Sequence, residues 1–274
     1  MTDSLSFNIL GLGAWGPGFS NWPELRTCFK QDYSFPDSAP AAPKPQIIPA
    51  NERRRAPLMV RIAVEVSSQA IDQAQLDPRE VACVFGSGLG DTEITDYMCR
   101  QLSTEEKALS PTKFHNSVHN AAAGYWTIST DCMKAANSIA AYQYTAGQAL
   151  IEGVCHSVSH QEPVLITLFD IAATGLFGDL FSCRDSFAAA ILINAQSEKC
   201  KKTLVRSKLE FEGKAIPTQC NNLELQSLQL TNPSASILPL LQEVDKYISR
   251  NRTQPVTLAS SSQSGVKFNL EPFI

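Results

Sequence analysis

Two side chains in the middle of the sequence are candidates for nucleophilic chemistry. Cys132 or Ser138 could form the covalent intermediate of an acyltransferase or hydrolase. Ser138 does not lie in a G-x-S-x-G elbow, and no histidine or aspartate in the sequence is evidently paired with it. Asp131 precedes Cys132 and is expected to raise the pKa of its thiol. Cys132 is therefore more typical of a small, partly buried apolar residue.

Two histidines have a spacing that could serve a metal ion. His156 and His160 lie four residues apart, so on a helix they would share one face. The sequence predicts that the helix here frays near Gly153, and no third ligand is obvious. We therefore predict solvated histidines at a helix end and no metal site.

The chain also contains glycines with the spacing G-x-G-x-x-G, which is typical of a dinucleotide-binding turn. They are Gly11, Gly13 and Gly16. Such a turn must open directly into a helix and be followed by an acidic residue at the end of a second strand. Pro17 and Pro23 interrupt the expected helix, and Asp32 precedes a proline-rich loop. The pattern instead predicts a tight turn after the first strand.

The composition is that of an ordinary globular protein. The chain has 274 residues, of which 43% are apolar and 18% are charged. A net charge of -4 argues against a nucleic-acid partner. The apolar stretches are too short to span a bilayer, and the polar N-terminus does not resemble a secretory signal. Eight cysteines without C-x-x-C pairs indicate reduced thiols and a cytoplasmic location.

The hydrophobic pattern predicts alternating strands and helices. Near-continuous apolar strands are typical of a sheet covered on both faces, which indicates a layered α/β/α body. Half-exposed strands are predicted in the tail, where the pattern alternates. Predicted strands cover 6–12, 81–86, 134–139, 163–170, 187–195, 204–212 and 223–230. Predicted helices cover 22–29, 57–76, 91–102 with Leu102 inward, 120–130, 140–153 and 235–248. Residues 34–50 are predicted to form a loop.

Residues 110–153, SPTKFHNSVHNAAAGYWTISTDCMKAANSIAAYQYTAGQALIEG, resemble the nucleophile region of β-ketoacyl synthases. In that family an Asn-x-x-Ala-Gly helix precedes a short strand and a turn that opens a helix of small residues. The matching positions are Asn120, Ala123, Gly124, Ala140, Ala141, Ala149 and Leu150. ILGLGAWGPG, ANERRRAPLM and VACVFGSGLG also resemble the family. The likeness covers about residues 6–195 and is greatest to chain-length-factor-like partners of aryl polyene ketosynthases.

The resemblance implies a thiolase-like (ketosynthase) layered α/β/α fold with a truncated second half. Residues 1–200 would form the ketosynthase-like half. Residues 201–274 would form a reduced α+β portion packed on it, so that the chain is one structural unit.

The resemblance also implies that the chain is catalytically silent. The family's nucleophilic cysteine corresponds to Ile139, and the glycine three residues later to Tyr142. The two histidines of the family's second half are absent, because no histidine follows His160. The chain would act as a chain-length factor in type II fatty acid or polyketide (aryl polyene-like) biosynthesis. An active ketosynthase would be its partner, the substrate would be carried on the phosphopantetheine of an acyl carrier protein, and no cofactor of its own is expected.

The same likeness places an interface with the ketosynthase. Residues 134–139 would pair antiparallel with the partner's strand and bury the helix at 120–130. The predicted tunnel and interface residues are Phe114, Asn116, Val118, Asn120, Ala136, Ser138, Ile139 and Tyr142, in a region that includes His115 and His119. Arg53, Arg54 and Arg55 could dock the carrier protein, or form a solvated helix flank. An independent enzyme using Cys132 or Ser138, and a homodimeric carrier-binding scaffold, remain alternatives.

Overall fold

The computed structural model describes residues 4–36, 40–196 and 203–271. Its centre is one mixed sheet with the strand order β3-β2-β4-β5-β1-β6-β8-β7. β2 runs parallel to β3 and β4, and the other neighbouring pairs are antiparallel. The strands are β1 (Leu5–Trp15), β2 (Ala82–Gly86), β3 (Ala136–Ile139), β4 (Pro163–Asp170), β5 (Phe187–Asn194), β6 (Val205–Gly213), β7 (Val256–Ala259) and β8 (Ser264–Glu271).

Helices cover both faces of this sheet. They are α1 (Trp22–Cys28), α2 (Ala50–Arg53), α3 (Leu58–Ala74), α4 (Thr92–Leu102), α5 (Pro111–Asn116), α6 (Ala121–Thr130), α7 (Thr145–His160), α8 (Leu176–Leu180), α9 (Leu223–Thr231) and α10 (Leu238–Arg250). Among the described residues, none of the helices has both the length and the apolarity that crossing a bilayer requires.

The alternation of side chains along the strands creates two cores, one on each face. On β4, Val164 and Ile166 belong to the core that includes residues of α7 and α10, whereas Leu165 and Phe169 belong to the core that includes residues of α3 and α6. Successive side chains of a strand point to opposite faces, so a strand buried on both sides is apolar throughout. The predicted α/β/α layering is confirmed.

The tail continues the same sheet. β6 pairs with β1 from Leu5↔Leu209 to Ile9↔Val205, and β8 and β7 extend the sheet beyond β6. The predicted strand at 223–230 is wrong, because this segment forms helix α9. Asn222 caps it by accepting a hydrogen bond from the Leu225 N–H at 3.1 Å. Leu102, predicted to point inward, is 49% exposed.

The helix that follows β3 also differs from its prediction. A 3-10 turn, Tyr142–Tyr144, comes first, and α7 begins only at Thr145. The Thr145 hydroxyl oxygen accepts the Ala141 N–H at 3.0 Å and thereby closes the turn. The helix does not fray at Gly153, where a Cβ would overlap the Ile166 side chain. That glycine allows α7 to approach β4 closely.

The glycines of the G-x-G-x-x-G pattern have a packing role. Gly11 and Gly13 lie within β1, which runs on to Trp15, so the predicted tight turn at these positions is wrong. A Cβ on Gly11 would overlap the Ala70 carbonyl oxygen, and one on Gly13 would overlap the Val66 carbonyl oxygen. The absence of side chains therefore lets helix α3 lie directly on the strand.

Asp170, the last residue of β4, is a buried carboxylate that joins two distant segments. Its Oδ1 accepts hydrogen bonds from the Ser87 hydroxyl at 2.9 Å and the Leu89 N–H at 2.8 Å. Its Oδ2 accepts the Gly88 N–H at 3.1 Å and the Ser234 hydroxyl at 2.6 Å. Burial raises the pKa of Asp170, and these four donors oppose that rise. The turn after β2 and the tail are thus held to the same strand end.

We expect Gly13→Ala to lower the free energy of unfolding by about 1–3 kcal/mol, because α3 must shift away from β1. Gly124→Ala is the matched control. Gly124 lies inside α6 with open space around a Cβ, so alanine should raise that free energy by about 0.5–1 kcal/mol. Urea unfolding followed by circular dichroism measures both changes. Equal effects of the two substitutions would contradict the close-approach argument.

We expect Asp170→Asn to lower the free energy of unfolding by about 2 kcal/mol, because the new amide N–H₂ must face a backbone N–H. Asp185→Asn, at an exposed side chain nearby, should change it by less than about 0.5 kcal/mol. Chemical denaturation of both variants is the measurement. A neutral Asp170→Asn variant would show that the network does not hold the tail to the body.

Candidate functional site

A cleft of about 400 Å³ opens where α7 begins. One wall is the turn before α7, and the opposite wall comes from the tail after α9. The lining residues are Leu89, Tyr142, Gln143, Tyr144, Leu180, Phe181, Ser182, Pro217, Gln229, Leu230, Thr231, Asn232, Pro233, Ser236, Leu258 and Ala259. None of these is a cysteine, histidine, carboxylate or lysine, so the described residues that line the cleft include neither a thiol nucleophile nor an imidazole.

Tyr142 is a large, exposed residue that lines this cleft. Its φ of 48° places an aromatic residue in the left-handed region, which is uncommon for a bulky side chain. Its ring centroid lies 5.9 Å from that of Phe181. A Cβ on Gly88 would lie 2.8 Å from the Tyr142 carbonyl oxygen and 2.6 Å from Pro233 Cβ. The 3-10 turn that begins at Tyr142 therefore lies close to the turn that contains Gly88, which also packs against Pro233 of the tail.

Ile139, the residue aligned with the family's cysteine, precedes α7 by a short turn. It is the last residue of β3, and its partly buried side chain packs against the core on the α7 face. The 3-10 turn Tyr142–Tyr144 separates the strand from α7. The assignment of Ile139 as the equivalent of the family's cysteine stays a prediction.

The sequence alone does not identify the group that positions the segments lining the cleft. Asp170 binds the Leu89 N–H, and its carbonyl oxygen accepts a hydrogen bond from Asn232 Nδ2 at 3.1 Å. Asn232 also accepts the Ser234 N–H at 3.0 Å through its side-chain oxygen. Leu89 and Asn232 both line the cleft. The signal in the sequence that could have identified Asp170 is its position at the end of a continuous apolar strand.

The two candidate nucleophiles lie outside the cleft. Ser138 is on β3, and its hydroxyl makes no hydrogen bond with the described residues. Cys132 is 4% exposed, and its thiol donates to the Val81 carbonyl oxygen at 3.4 Å. The expectation that Asp131 raises the Cys132 pKa is wrong. The Cys83 thiol, assisted by the Lys134 N–H and ammonium, lowers that pKa against the opposing effect of burial.

The histidines are placed apart from both nucleophiles. His119 Nε2 lies 3.3 Å from the Ser87 carbonyl oxygen, and His115 is exposed. His156 Nε2 lies 2.9 Å from Glu162 Oε1, and the ring centroids of His156 and His160 are 4.4 Å apart. Partial burial acts to raise the pKa of Glu162, but hydrogen bonds from His156 and Lys134 lower it below its usual value. The described residues contain no group of three or more side chains suited to a metal ion.

β3 forms one edge of the sheet. The Ala135 and Ile139 carbonyl oxygens accept hydrogen bonds from β2, at 2.9 and 3.1 Å. By the alternation of a parallel ladder, the backbone N–H and C=O groups of Ala136 and Ser138 point away from β2. The edge is therefore open to a further strand.

Exposed apolar side chains lie on the segments around this edge. They belong to α5, the turn after it, α6 and the segment before β3: Phe114 is 58% exposed, Val118 48%, Ile128 82% and Met133 95%. We call these four residues the edge patch. Large exposed apolar side chains near a free sheet edge are typical of a protein–protein interface.

The other predicted interface and docking residues have different surroundings. Asn116 is buried, and its Nδ2 donates to the Arg55 carbonyl oxygen at 3.2 Å, so it anchors α5 to the segment after α2. Asn120 is exposed at the start of α6 and makes no capping hydrogen bond. Arg53 Nη1 donates to the Pro45 carbonyl oxygen at 3.0 Å, whereas Arg54 is exposed. The arginine run is therefore next to the edge patch.

Solved structures with this fold span nearly the whole chain. The ketosynthase ApeO in complex with its chain length factor ApeC, from Xenorhabdus doucetiae, matches with a TM-score of 0.69 and 20% identity over 96% of this chain and 99% of that chain. The ishigamide ketosynthase/chain length factor matches with a TM-score of 0.71 and 12% identity, over 97% and 99% of the two chains.

A third structure is a type II polyketide synthase acyl-carrier protein in complex with its ketosynthase bound to the hexaketide, AntDE:AntF. It matches with a TM-score of 0.74 and 10% identity over 97% of this chain and 99% of that chain. These likenesses establish the thiolase-like ketosynthase fold.

The sequence itself was compared with protein families and with curated proteins. No curated protein matches it significantly. The family model for the β-ketoacyl synthase N-terminal domain matches residues 26–238, which is most of the chain and includes β2 to β6, α7 and the residues that line the cleft from Leu89 to Ser236. The chain belongs to the β-ketoacyl synthase N-terminal domain family.

Proposed function

We propose that this chain is a catalytically silent subunit of the chain-length-factor type, which pairs with an active β-ketoacyl synthase and shapes its acyl tunnel. The pathway would be a type II fatty acid or polyketide pathway of the aryl polyene kind. The substrate would arrive on the phosphopantetheine of an acyl carrier protein, and the chain would need no cofactor of its own.

The composition of the cleft at the start of α7 carries this proposal. A condensing enzyme needs a thiolate at a helix N-terminus and donors that stabilise an enolate or oxyanion. This cleft instead presents Tyr142, Gln143 and Tyr144 at the helix and Gln229, Asn232 and Ser236 on the facing wall. Neutral amides and hydroxyls can bind or orient an acyl chain, but they provide no nucleophile with a base.

The open edge of β3 and the edge patch support a partner. A strand edge with free N–H and C=O groups, flanked by exposed apolar side chains, is the arrangement that pairs with a second chain. Phe114 and Val118 are both exposed, and in this proposal they reach the partner's tunnel. Two of the structural matches are complexes of a ketosynthase with a chain length factor, which agrees with such a partnership.

A carrier protein as second partner is supported by two observations. The third structural match contains an acyl-carrier protein bound to its ketosynthase. In this chain, Arg54 and Arg55 are exposed beside α5, which suits an acidic partner.

Two rival functions predict different results. An independent acyltransferase or hydrolase would show stoichiometric labelling of Cys132 by an acyl-thioester probe, or of Ser138 by an acyl phosphonate. A homodimeric carrier-binding scaffold would remain a dimer of this chain by native mass spectrometry when a co-expressed ketosynthase is present. The proposal expects neither labelling nor a persistent homodimer.

We expect Ile128→Arg to weaken the complex with the co-expressed ketosynthase by at least about tenfold, because the interface would bury an unpaired charge. Co-purification followed by titration in analytical ultracentrifugation measures the change. Ile216→Arg is the matched control: Ile216 is 87% exposed and follows β6, in the half of the sheet far from β3. Loss of the complex with both variants, or with neither, would contradict the assigned interface.

We expect Phe114→Ala to shift the products of the reconstituted complex towards longer acyl chains, because a large side chain is removed from the proposed tunnel wall. Mass spectrometry of carrier-bound products measures the distribution. Leu223→Ala, at a 77% exposed leucine of α9, should leave it unchanged. Condensation by this chain in the absence of the ketosynthase would refute the silent role.

A further inference from the structure

The chain leaves the sheet between β4 and β5 in a loop that is fixed at its base. The Ala173 N–H donates to the Cys183 carbonyl oxygen at 2.8 Å, and the Ala172 N–H donates to the Ser186 hydroxyl oxygen at 2.9 Å. These two hydrogen bonds close the neck, as in a compact surface loop whose ends lie close together. We call residues 174–182, which lie beyond the neck, the cleft loop.

The cleft loop is weakly attached to the body of the protein. Among the residues that the structure describes, its hydrogen bonds are internal, such as that from the Phe181 N–H to the Phe177 carbonyl oxygen at 2.8 Å. Leu176 is 62% exposed and Leu180 is 65% exposed. Gly175, at the start of α8, has a φ of 57°, which glycine adopts without strain. A segment with few hydrogen bonds to the body opens at a low free energy.

Aromatic rings join the cleft loop to the opposite side of the cleft. The Phe181 ring centroid lies 5.9 Å from that of Tyr142 and 6.1 Å from that of Phe177. Phe181 lines the cleft from the loop, and Tyr142 lines it from the turn before α7. The Phe181–Tyr142 contact is therefore made between two segments that both border the cleft.

The surface inside the cleft favours a neutral, apolar ligand. On the tail side, Gln229 Nε2, Asn232 Nδ2 and the Ser236 hydroxyl already donate to backbone carbonyl oxygens, at 2.7, 2.9 and 2.8 Å. The described lining residues include no charged side chain, so an ionised ligand group would lie there without a counter-charge. A volume of about 400 Å³ is typical of a small-molecule site. The apolar lining residues are Leu89, Leu180, Phe181, Pro217, Leu230, Pro233, Leu258 and Ala259.

We propose that this cleft binds the apolar end of a neutral acyl thioester and that the cleft loop closes over the bound chain through Phe181. The chain enters when the Phe181–Tyr142 contact opens, while the hydrogen bond between Ala173 and Cys183 keeps the neck closed. The inference rests on the proposed function for the acyl nature of the natural ligand. It adds that this chain itself holds the acyl end, in its own cleft and under its own loop.

Hydrogen–deuterium exchange of the full-length chain tests the loop and the ligand together. The probes are octanoyl-N-acetylcysteamine and acetyl-N-acetylcysteamine, two neutral thioesters that differ only in the acyl chain. We expect the amides of residues 174–182 to exchange at least about tenfold faster than those of β5. The octanoyl probe at saturation should slow them by at least about threefold, and the acetyl probe should not. A loop that exchanges as slowly as β5, or that the octanoyl probe does not slow, would overturn the proposal.

Variants of the cleft loop assign the role of Phe181. Phe181→Ala should raise the Kd of the octanoyl probe by at least about fivefold in isothermal titration calorimetry, because the bound chain loses the ring that covers it. Leu176→Ala is the matched control, since Leu176 is an exposed leucine of the same loop that does not line the cleft. Equal affinities of both variants would count against the proposal. Exchange in the unsubstituted chain decides the outcome if Phe181→Ala fails to fold.

This result is separable from the pairing with a ketosynthase. The exchange and calorimetry experiments use this chain alone, whereas the Ile128→Arg titration measures the complex. A chain that pairs with the ketosynthase but whose loop ignores the octanoyl probe would contradict this inference and leave the proposed function standing. A chain that binds the probe without pairing would contradict the proposed function and leave this inference standing.

Discussion

The buried carboxylate of Asp170 is the interaction on which the arrangement of the cleft depends. An ionised group without water is unfavourable unless donors surround it, and here two backbone N–H groups and two hydroxyls do so. Those donors come from the turn after β2 and from the segment before α10. One charge at the end of β4 therefore brings together two segments that are more than 140 residues apart in sequence. Both segments line the cleft, the first through Leu89 and the second through Asn232.

The same stretch of chain forms the cleft and the free edge of the sheet. β3 presents unpaired backbone groups to the outside, and the turn that follows it places Tyr142 at the mouth of the cleft. A protein that pairs through β3 would thus hold the Tyr142 turn in a defined position relative to its partner. This coupling of edge and cleft is what the proposed chain-length-factor role requires.

Local signals were sufficient for most of the body. Continuous apolar runs predicted β2, β4 and β5, and the spacing of small apolar residues predicted α3 and α6, because burial on both faces demands apolar side chains throughout. Asp91 is a local cap of the same kind: its side chain accepts the Ile94 N–H at 2.9 Å at the start of α4. The segment that became α9 was misjudged, since its leucines fit a strand almost as well as a helix. Only the Asn222 cap and the contacts of Leu225 and Leu228 with the core decide for the helix.

By itself, the sequence determined the α/β/α class, the β-ketoacyl synthase likeness and the absence of a histidine after His160, since these follow from residue types and their order. Only the tertiary structure decided the rest. It placed Gly13 against α3, it set the start of α7 at Thr145, and it brought the thiols of Cys83 and Cys132 to one carbonyl oxygen, that of Val81. Each of these depends on contacts between segments far apart in the chain, and the side chains that make such contacts leave no periodicity that a linear sequence could show.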